Sequence, residues 1–201
     1  EYFGPPDQLA ERVDGQTNET CNVYNMLKMT RRLFAIHPDI KYAEFEERAL
    51  FNHILASMDP EDGRTCYMVP IGRGVRHEYQ DMFRDFTCCV GSGMESHALH
   101  GDGIYYESDD RLWINLYVPS TANWKDATVT MSTTFPEGDA ASLKLTLPRP
   151  KAFTLALRRP SWAGAGFAVK VNGINVGTLS QPGSYVELKR TWKTGDSVSL
   201  V

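Results

Sequence analysis

The apolar pattern of this chain changes period near residue 104, and that change limits the folds open to it. Up to about residue 100 apolar side chains recur at helical spacing; beyond 104 they fall into short runs broken by turn residues. Asn18 reads as an N-cap with Glu19 in the first turn, opening a helix to His37 with Val23, Met26, Leu27 and Phe34 on one face. Pro38 ends it and Asp39 can cap the next, which is expected over residues 40–58. Tyr42, Phe45, Ala49, Leu50 and Ile54 form its apolar face; Glu44, Glu46, Glu47 and Arg48 are read as polar positions. Asp59 to Gly63 is a turn, and a short strand is expected at 66–69. A third helix is expected over 93–100, with Ser92 and Glu95 as a capping box and Gly101 as its stop.

The second half reads as strands at 104–106, 113–118, 127–134, 142–147, 153–158, 168–171, 185–188 and 197–201, with turns such as Asn172-Gly173 and Pro182-Gly183. The expected fold class is α+β in two domains: a helical domain over residues 1–103 and an antiparallel β-sandwich over 104–201. Three helices cannot readily enclose a site, so further helices are expected upstream and the chain is expected to be a piece of a longer polypeptide.

Composition narrows function mainly by exclusion. Hydrophobic residues are 42% of the chain, enough to build a core. The net charge is -4 and there is no basic stripe, which argues against nucleic acid as the main partner. No apolar run approaches a membrane span.

The chemistry-bearing stretch is Cys88-Cys89, just before the expected third helix. Neighbouring cysteines rarely bond to each other, because the bridge strains the peptide between them. Two thiols held together point instead to a soft metal or a reactive thiol. Glu19 and Cys21 form an E-x-C pair at another helix start. One carboxylate and three thiolates make a four-coordinate set suited to zinc, which takes tetrahedral sulfur and oxygen ligands. Helix N-termini favour thiolate over thiol. The plainer alternative stands beside this one: free cysteine is a common small core residue, and Cys21 and Cys66 fit that reading too.

The segment Glu19-Thr20-Cys21-Asn22-Val23-Tyr24-Asn25-Met26 resembles the ETCN-x-YNM signature of β-L-arabinofuranosidases of glycoside hydrolase family 127 and its relative, family 146. The block from Glu47 to Leu55 and the run Cys88-Cys89-Val90-Gly91-Ser92-Gly93-Met94-Glu95 resemble further blocks of that pattern. So do Asn115 to Ser120, Arg158-Arg159-Pro160-Ser161-Trp162 and Val171-Asn172-Gly173. The resemblance implies the C-terminal part of an (α/α)6 barrel followed by a β-sandwich. It implies a zinc ion on Glu19, Cys21, Cys88 and Cys89, with Cys88 also the nucleophile and Cys66 outside the set. Glu1, in a short E-x-F element, would be the general acid/base; Glu47 and Tyr67 would contact sugar hydroxyls. For these, the rival readings are a terminal glutamate without a role, an exposed helical glutamate paired with an arginine, and a core tyrosine.

The implied function is zinc-dependent, retaining hydrolysis of β-L-arabinofuranosides through a cysteine thioglycosyl intermediate, on an arabinose-containing oligosaccharide or glycan. Residues 1–201 alone are expected to be inactive, needing the upstream part of the same polypeptide; homo-oligomerisation and localisation are left open. Two rivals remain: a non-catalytic carbohydrate-binding or structural zinc module, and a thiol-redox protein on Cys88 and Cys89. A binding module needs no E-x-C beside a cysteine pair, and redox sites usually space their thiols as C-x-x-C.

Overall fold

The computed structural model describes residues 8, 13, 17–72, 74–81 and 83–201. The chain mixes helix and sheet and divides into two units: residues through His37 with Phe45–Gly101, and Pro38–Glu44 with Asp102–Val201.

In the first unit, helix α1 (Thr20–Ile36) buries Thr20, Tyr24, Leu27, Thr30 and Phe34, a stripe at intervals of three and four residues. Its N-cap is Glu19, in extended conformation, not Asn18 as the sequence suggests. The cause is backbone pairing. Val69 N–H donates to the Asn18 carbonyl at 3.0 Å, Thr20 N–H to the Tyr67 carbonyl at 3.1 Å, and Glu19 bridges Met68, so the chain stays extended one residue longer. The strand expected at 66–69 is thus a pair of isolated bridges, Met68 to Glu19 and Cys66 to Tyr79.

Helix α2 (Ile40–Ala49) continues as a π-helical turn (Leu50–Ile54) and a 3-10 turn (Leu55–Ser57), nearly the span expected but with a changing pitch. Glu46 and Glu47, read as polar positions, are buried. Glu46 is accommodated by an ion pair with Arg31 Nε at 2.5 Å, a partner that arrives from α1.

Helix α3 (Cys88–Ala98) starts five residues before the expected position, capped by the extended Thr87. Ser92 and Glu95 are therefore inside the helix and form no capping box. Glu95 instead accepts a hydrogen bond from Tyr24 Oη on α1, and Lys28 donates to the same oxygen at 3.2 Å. The inner face of α3 is small: Cys89, Val90, Ser92, Gly93 and Ser96. A Cβ at Gly93 would lie 2.7 Å from Cγ2 of Thr65, itself 2% exposed.

The second unit contains ten strands: β1 (Tyr105–Glu107), β2 (Arg111–Ile114), β3 (Ser120–Trp124), β4 (Ala127–Thr133), β5 (Ala141–Thr146), β6 (Lys151–Arg159), β7 (Val169–Val171), β8 (Ile174–Asn175), β9 (Ser184–Trp192) and β10 (Ser197–Leu200). They form a four-stranded sheet in the order β1-β2-β6-β9 and a six-stranded sheet in the order β3-β4-β5-β10-β7-β8. Strand β5 alternates buried and exposed residues, the mark of one covered face. Strand β6 is buried continuously from Phe153 to Arg158. Trp124 of one sheet meets Phe153 of the other edge-on at 5.1 Å, and Phe153 stacks on Trp192 at 5.9 Å. The expectation of purely antiparallel pairing fails at β2 and β6, which run parallel. The chain leaves β2, builds β3 to β5 in the other sheet, and returns, and such a crossover permits parallel alignment.

Arg158 on β6 is fully buried and donates to Glu44 Oε1 at 2.8 Å and to the carbonyl of Asn115. Ser161 also donates to Glu44, and Tyr117 Oη donates to the Arg158 carbonyl at 2.6 Å. This network ties Glu44 into the second unit. Among the described residues, no helix is long and apolar enough to cross a membrane.

Two substitutions test these contacts by chemical unfolding of the full-length protein. Gly93→Ala should destabilise by about 1–3 kcal/mol through overpacking, although Ala for Gly in an open helix stabilises by about 1 kcal/mol. Arg158→Met should cost about 3–5 kcal/mol, since it leaves the Glu44 carboxylate without its cation.

Candidate metal centre

The backbone pairing at the start of α1 fixes one half of the site. It holds Glu19 at the N-cap and Cys21 in the first turn, and it aligns Tyr67 beside them. Thr20 Oγ1 adds a bond to the Tyr67 carbonyl at 3.2 Å. The other half is the first turn of α3, where Cys88 and Cys89 are the first two helical residues. Both ligand-bearing helices thus present N-terminal ends, whose unpaired N–H groups favour anionic side chains.

The four side chains converge. One donor atom from each of Glu19, Cys21, Cys88 and Cys89 lies within 4.8 Å of all the others. The Sγ atoms of Cys21 and Cys89 are 3.2 Å apart and those of Cys88 and Cys89 3.9 Å. Glu19 Oε1 lies 3.9 Å from Cys88 Sγ and 3.7 Å from Cys89 Sγ. A tetrahedral ion with sulfur bonds of about 2.3 Å has ligand–ligand edges of roughly 3.8 Å, so this donor set fits one soft divalent cation. The four cysteines are free thiols, and these separations are far above a disulfide bond of about 2.05 Å.

The three sulfurs sit in unlike surroundings. Cys89 is buried, Cys21 is partly buried and Cys88 is exposed. Burial pushes the Cys89 thiol up and, against a hydrogen bond from Ser92, the Cys21 thiol as well. Cys88 moves the other way. Its Sγ is 3.4 Å from Tyr67 Oη, and this hydrogen bond, the largest influence on it, lowers its pKa. The same bond raises Tyr67, with the charge of Glu19 adding to the effect. In the metal-free protein the exposed thiol is therefore also the most acidic of the three.

Of the other expected site residues, Tyr67 reaches the centre, so it is not simply a core tyrosine. Glu47 is buried on α2, which removes the exposed-glutamate alternative, but it is not a member of the four-residue cluster. Glu1 lies outside the described residues. Cys66 is fully buried and its thiol is pushed up to about 11, in keeping with a structural role. Sequence reasoning missed Ser92 as a neighbour of the cluster. Its Oγ lies 3.2 Å from Cys21 Sγ, and placing the start of α3 at Cys88 would have put it on the same helix face as Cys89, three residues on. His97 and His100 bond to each other at 2.9 Å and are not in the cluster.

A cavity of about 790 Å³ adjoins Tyr67 and is lined in part by Arg76, Glu78, Gln80 and Asp85. A smaller one, about 290 Å³, lies in the second unit among Phe135, Trp162 and Phe167 and holds none of the expected site residues.

Alkylation of the metal-free full-length protein, followed by peptide mass spectrometry, checks this ranking. Cys88 should react first, and Cys66 and Cys89 last. Tyr67→Phe removes the donor that stabilises the Cys88 thiolate, so the Cys88 pKa should rise. Its alkylation at neutral pH should then slow, by up to about tenfold for one pKa unit.

Comparison with known proteins gives concordant matches. Residues 1–102 match the model of the β-L-arabinofuranosidase GH127 catalytic domain, and residues 111–201 that of the GH127 middle domain. A solved structure described as a glycoside hydrolase superposes with a TM-score of 0.82 at 28% identity, covering 94% of this chain and 34% of its own. A GH127 β-L-arabinofuranosidase from Geobacillus stearothermophilus T6 gives 0.78 at 27% identity, covering 94% of this chain and 32% of its own. The GH127 β-arabinofuranosidase BT3674 gives 0.78 at 25% identity, covering 90% and 31%. The chain thus spans about a third of the length of these structures. No curated protein gives a significant match.

Proposed function

The chain belongs to the family of GH127 β-L-arabinofuranosidases, and we propose that it forms part of a zinc-dependent, retaining glycoside hydrolase acting on β-L-arabinofuranosides in oligosaccharides or glycans. The observation that carries this reading is the convergence of the Glu19 carboxylate and three cysteine sulfurs, with Cys88 the one exposed to solvent. On this reading residues 1–103 are the C-terminal part of an (α/α)6 barrel and residues 104–201 a β-sandwich. The activity belongs to the whole polypeptide, of whose relatives this chain spans about a third.

Glu19, Cys21, Cys88 and Cys89 would hold the zinc ion. When bound, it supplies positive charge that keeps the thiols deprotonated at neutral pH. Cys88 is assigned as the nucleophile: its sulfur attacks the anomeric carbon, forming a carbon–sulfur bond as the bond to the aglycone oxygen breaks. The departing oxygen takes a proton from a carboxylic acid, assigned to Glu1. In the second step that carboxylate takes a proton from water, the water oxygen attacks the anomeric carbon, and the carbon–sulfur bond breaks with its electron pair returning to Cys88. Two displacements at one carbon retain configuration, as in retaining glycosidases that use a carboxylate nucleophile. Tyr67 orients and stabilises the attacking thiolate through its hydroxyl, and Tyr67 and Glu47 are assigned to sugar hydroxyls.

The test uses the full-length enzyme and an aryl β-L-arabinofuranoside. Cys88→Ala should lower kcat by several orders of magnitude, as loss of a nucleophile does elsewhere. Chelation should abolish turnover and zinc should restore it. Mass spectrometry of the quenched wild-type reaction should find an arabinosyl adduct on the peptide containing Cys88. Full activity in metal-free protein would overturn the mechanism, and zinc binding without turnover would favour a structural zinc module.

A further inference from the structure

Resting on the metal reading above, we propose that Ser92 is a positioning residue for that centre: it donates a hydrogen bond to Cys21 Sγ and fixes that sulfur in its ligand position. Cys21 and Ser92 come from different helices, α1 and α3. Tyr67 serves Cys88, and Cys89 is buried beside Glu19; Ser92 is the corresponding partner of Cys21, 3.2 Å away.

The geometry goes beyond a chance contact. A serine inside a helix ordinarily bonds back to a carbonyl one turn earlier. That alternative is present, because Ser92 Oγ lies 3.4 Å from the Cys89 carbonyl. Yet the sulfur is nearer, although sulfur has the larger radius. The hydroxyl has one proton for these two acceptors, and an anionic thiolate is the stronger of them. Ser92 is 8% exposed, so water does not compete freely for that proton. The bond joins the two ligand-bearing helices, limits rotation of the Cys21 side chain, and spreads part of its negative charge. Groups that orient a metal ligand in this way are typically worth 10–100-fold in metal affinity.

The experiment measures Zn²⁺ affinity of the full-length protein by chelator competition, with the sulfur-to-metal charge-transfer band of the Co²⁺ form as a second readout. Ser92→Ala should weaken Zn²⁺ binding by roughly 10–100-fold and alter the Co²⁺ band, with circular dichroism and unfolding of the metal-free protein little changed. Ser92→Thr keeps the hydroxyl and should bind within about threefold of wild type. The proposal is overturned if Ser92→Ala binds within about twofold of wild type, or if the alanine and threonine variants are equally weakened, since packing and not the hydroxyl would then be responsible. Failure of the wild type to bind Zn²⁺ overturns the metal reading, and the role of Ser92 with it. That result differs from zinc bound equally by wild type and Ser92→Ala, which defeats this inference alone.

Discussion

The centre depends on a short backbone pairing. Asn18, Glu19 and Thr20 lie against Tyr67, Met68 and Val69, and two backbone hydrogen bonds hold the segments in register. Because Glu19 pairs as strand and Thr20 begins a helix, the direction of the chain changes at the residue that carries the carboxylate. One residue of slip would send Glu19 to the opposite side, as it would in any extended pair. The same pairing delivers Tyr67 to the sulfur of Cys88. Carboxylate, tyrosine hydroxyl and first-turn cysteine are thus placed by the main chain before side-chain chemistry contributes.

Helix α3 must then approach closely enough to bring Cys88 and Cys89 within reach. Its inner face permits that because it is built from small side chains, with Gly93 against Thr65 at a separation no larger residue tolerates. The contact of Tyr24 on α1 with Glu95 on α3 ties the same two helices further along. Packing and polar bonding therefore act on one variable, the distance between the two helix starts. Widening that distance would pull the donors away from the roughly 3.8 Å spacing that the ligands of a single ion need.

Much of this was legible in sequence, and the gaps have physical causes. Most of the strands follow from periodicity, which is a local property; on α1 it identified Leu27 and Phe34, but Met26 is exposed and Tyr24 takes a buried place instead. The four cluster residues could be named because carboxylate and thiols at helix starts are a chemically unusual combination. The start of α3 was misplaced because Thr87 makes no capping bond through its side chain to its own helix, and bonds to Gln80 instead. Strand β3, with its Ser, Thr, Ala and Asn, lacks the branched and aromatic run expected of a strand. Its hairpin turn places Lys125 at φ 55° with no glycine to announce it. The burial of Glu46 depends on Arg31 from another helix, and the parallel pairing of β2 with β6 depends on a crossover through the other sheet. The contacts of Tyr67 and Ser92 with sulfur are of the same kind: tertiary proximity decided them, and residue type alone could not.

Under the proposed mechanism Cys88 answers two demands that oppose each other. A nucleophile must be ionised, and whatever stabilises the thiolate also reduces its reactivity, with sensitivity of about 0.4–0.5 per unit of pKa in thiol chemistry. Lowering the pKa therefore raises the attacking fraction faster than it reduces intrinsic reactivity, until ionisation is complete. The Tyr67 bond lowers the thiol without burying it, and a hydroxyl on a side chain can release the sulfur as the new bond forms. The other donors face the reverse requirement. Glu19 and Cys89 are buried, and Cys21 Sγ has Ser92 Oγ 3.2 Å away. A centre whose exposed sulfur must be free to react needs the remaining three to be held firmly, and the gradient of burial from Cys89 through Cys21 to Cys88 provides that division.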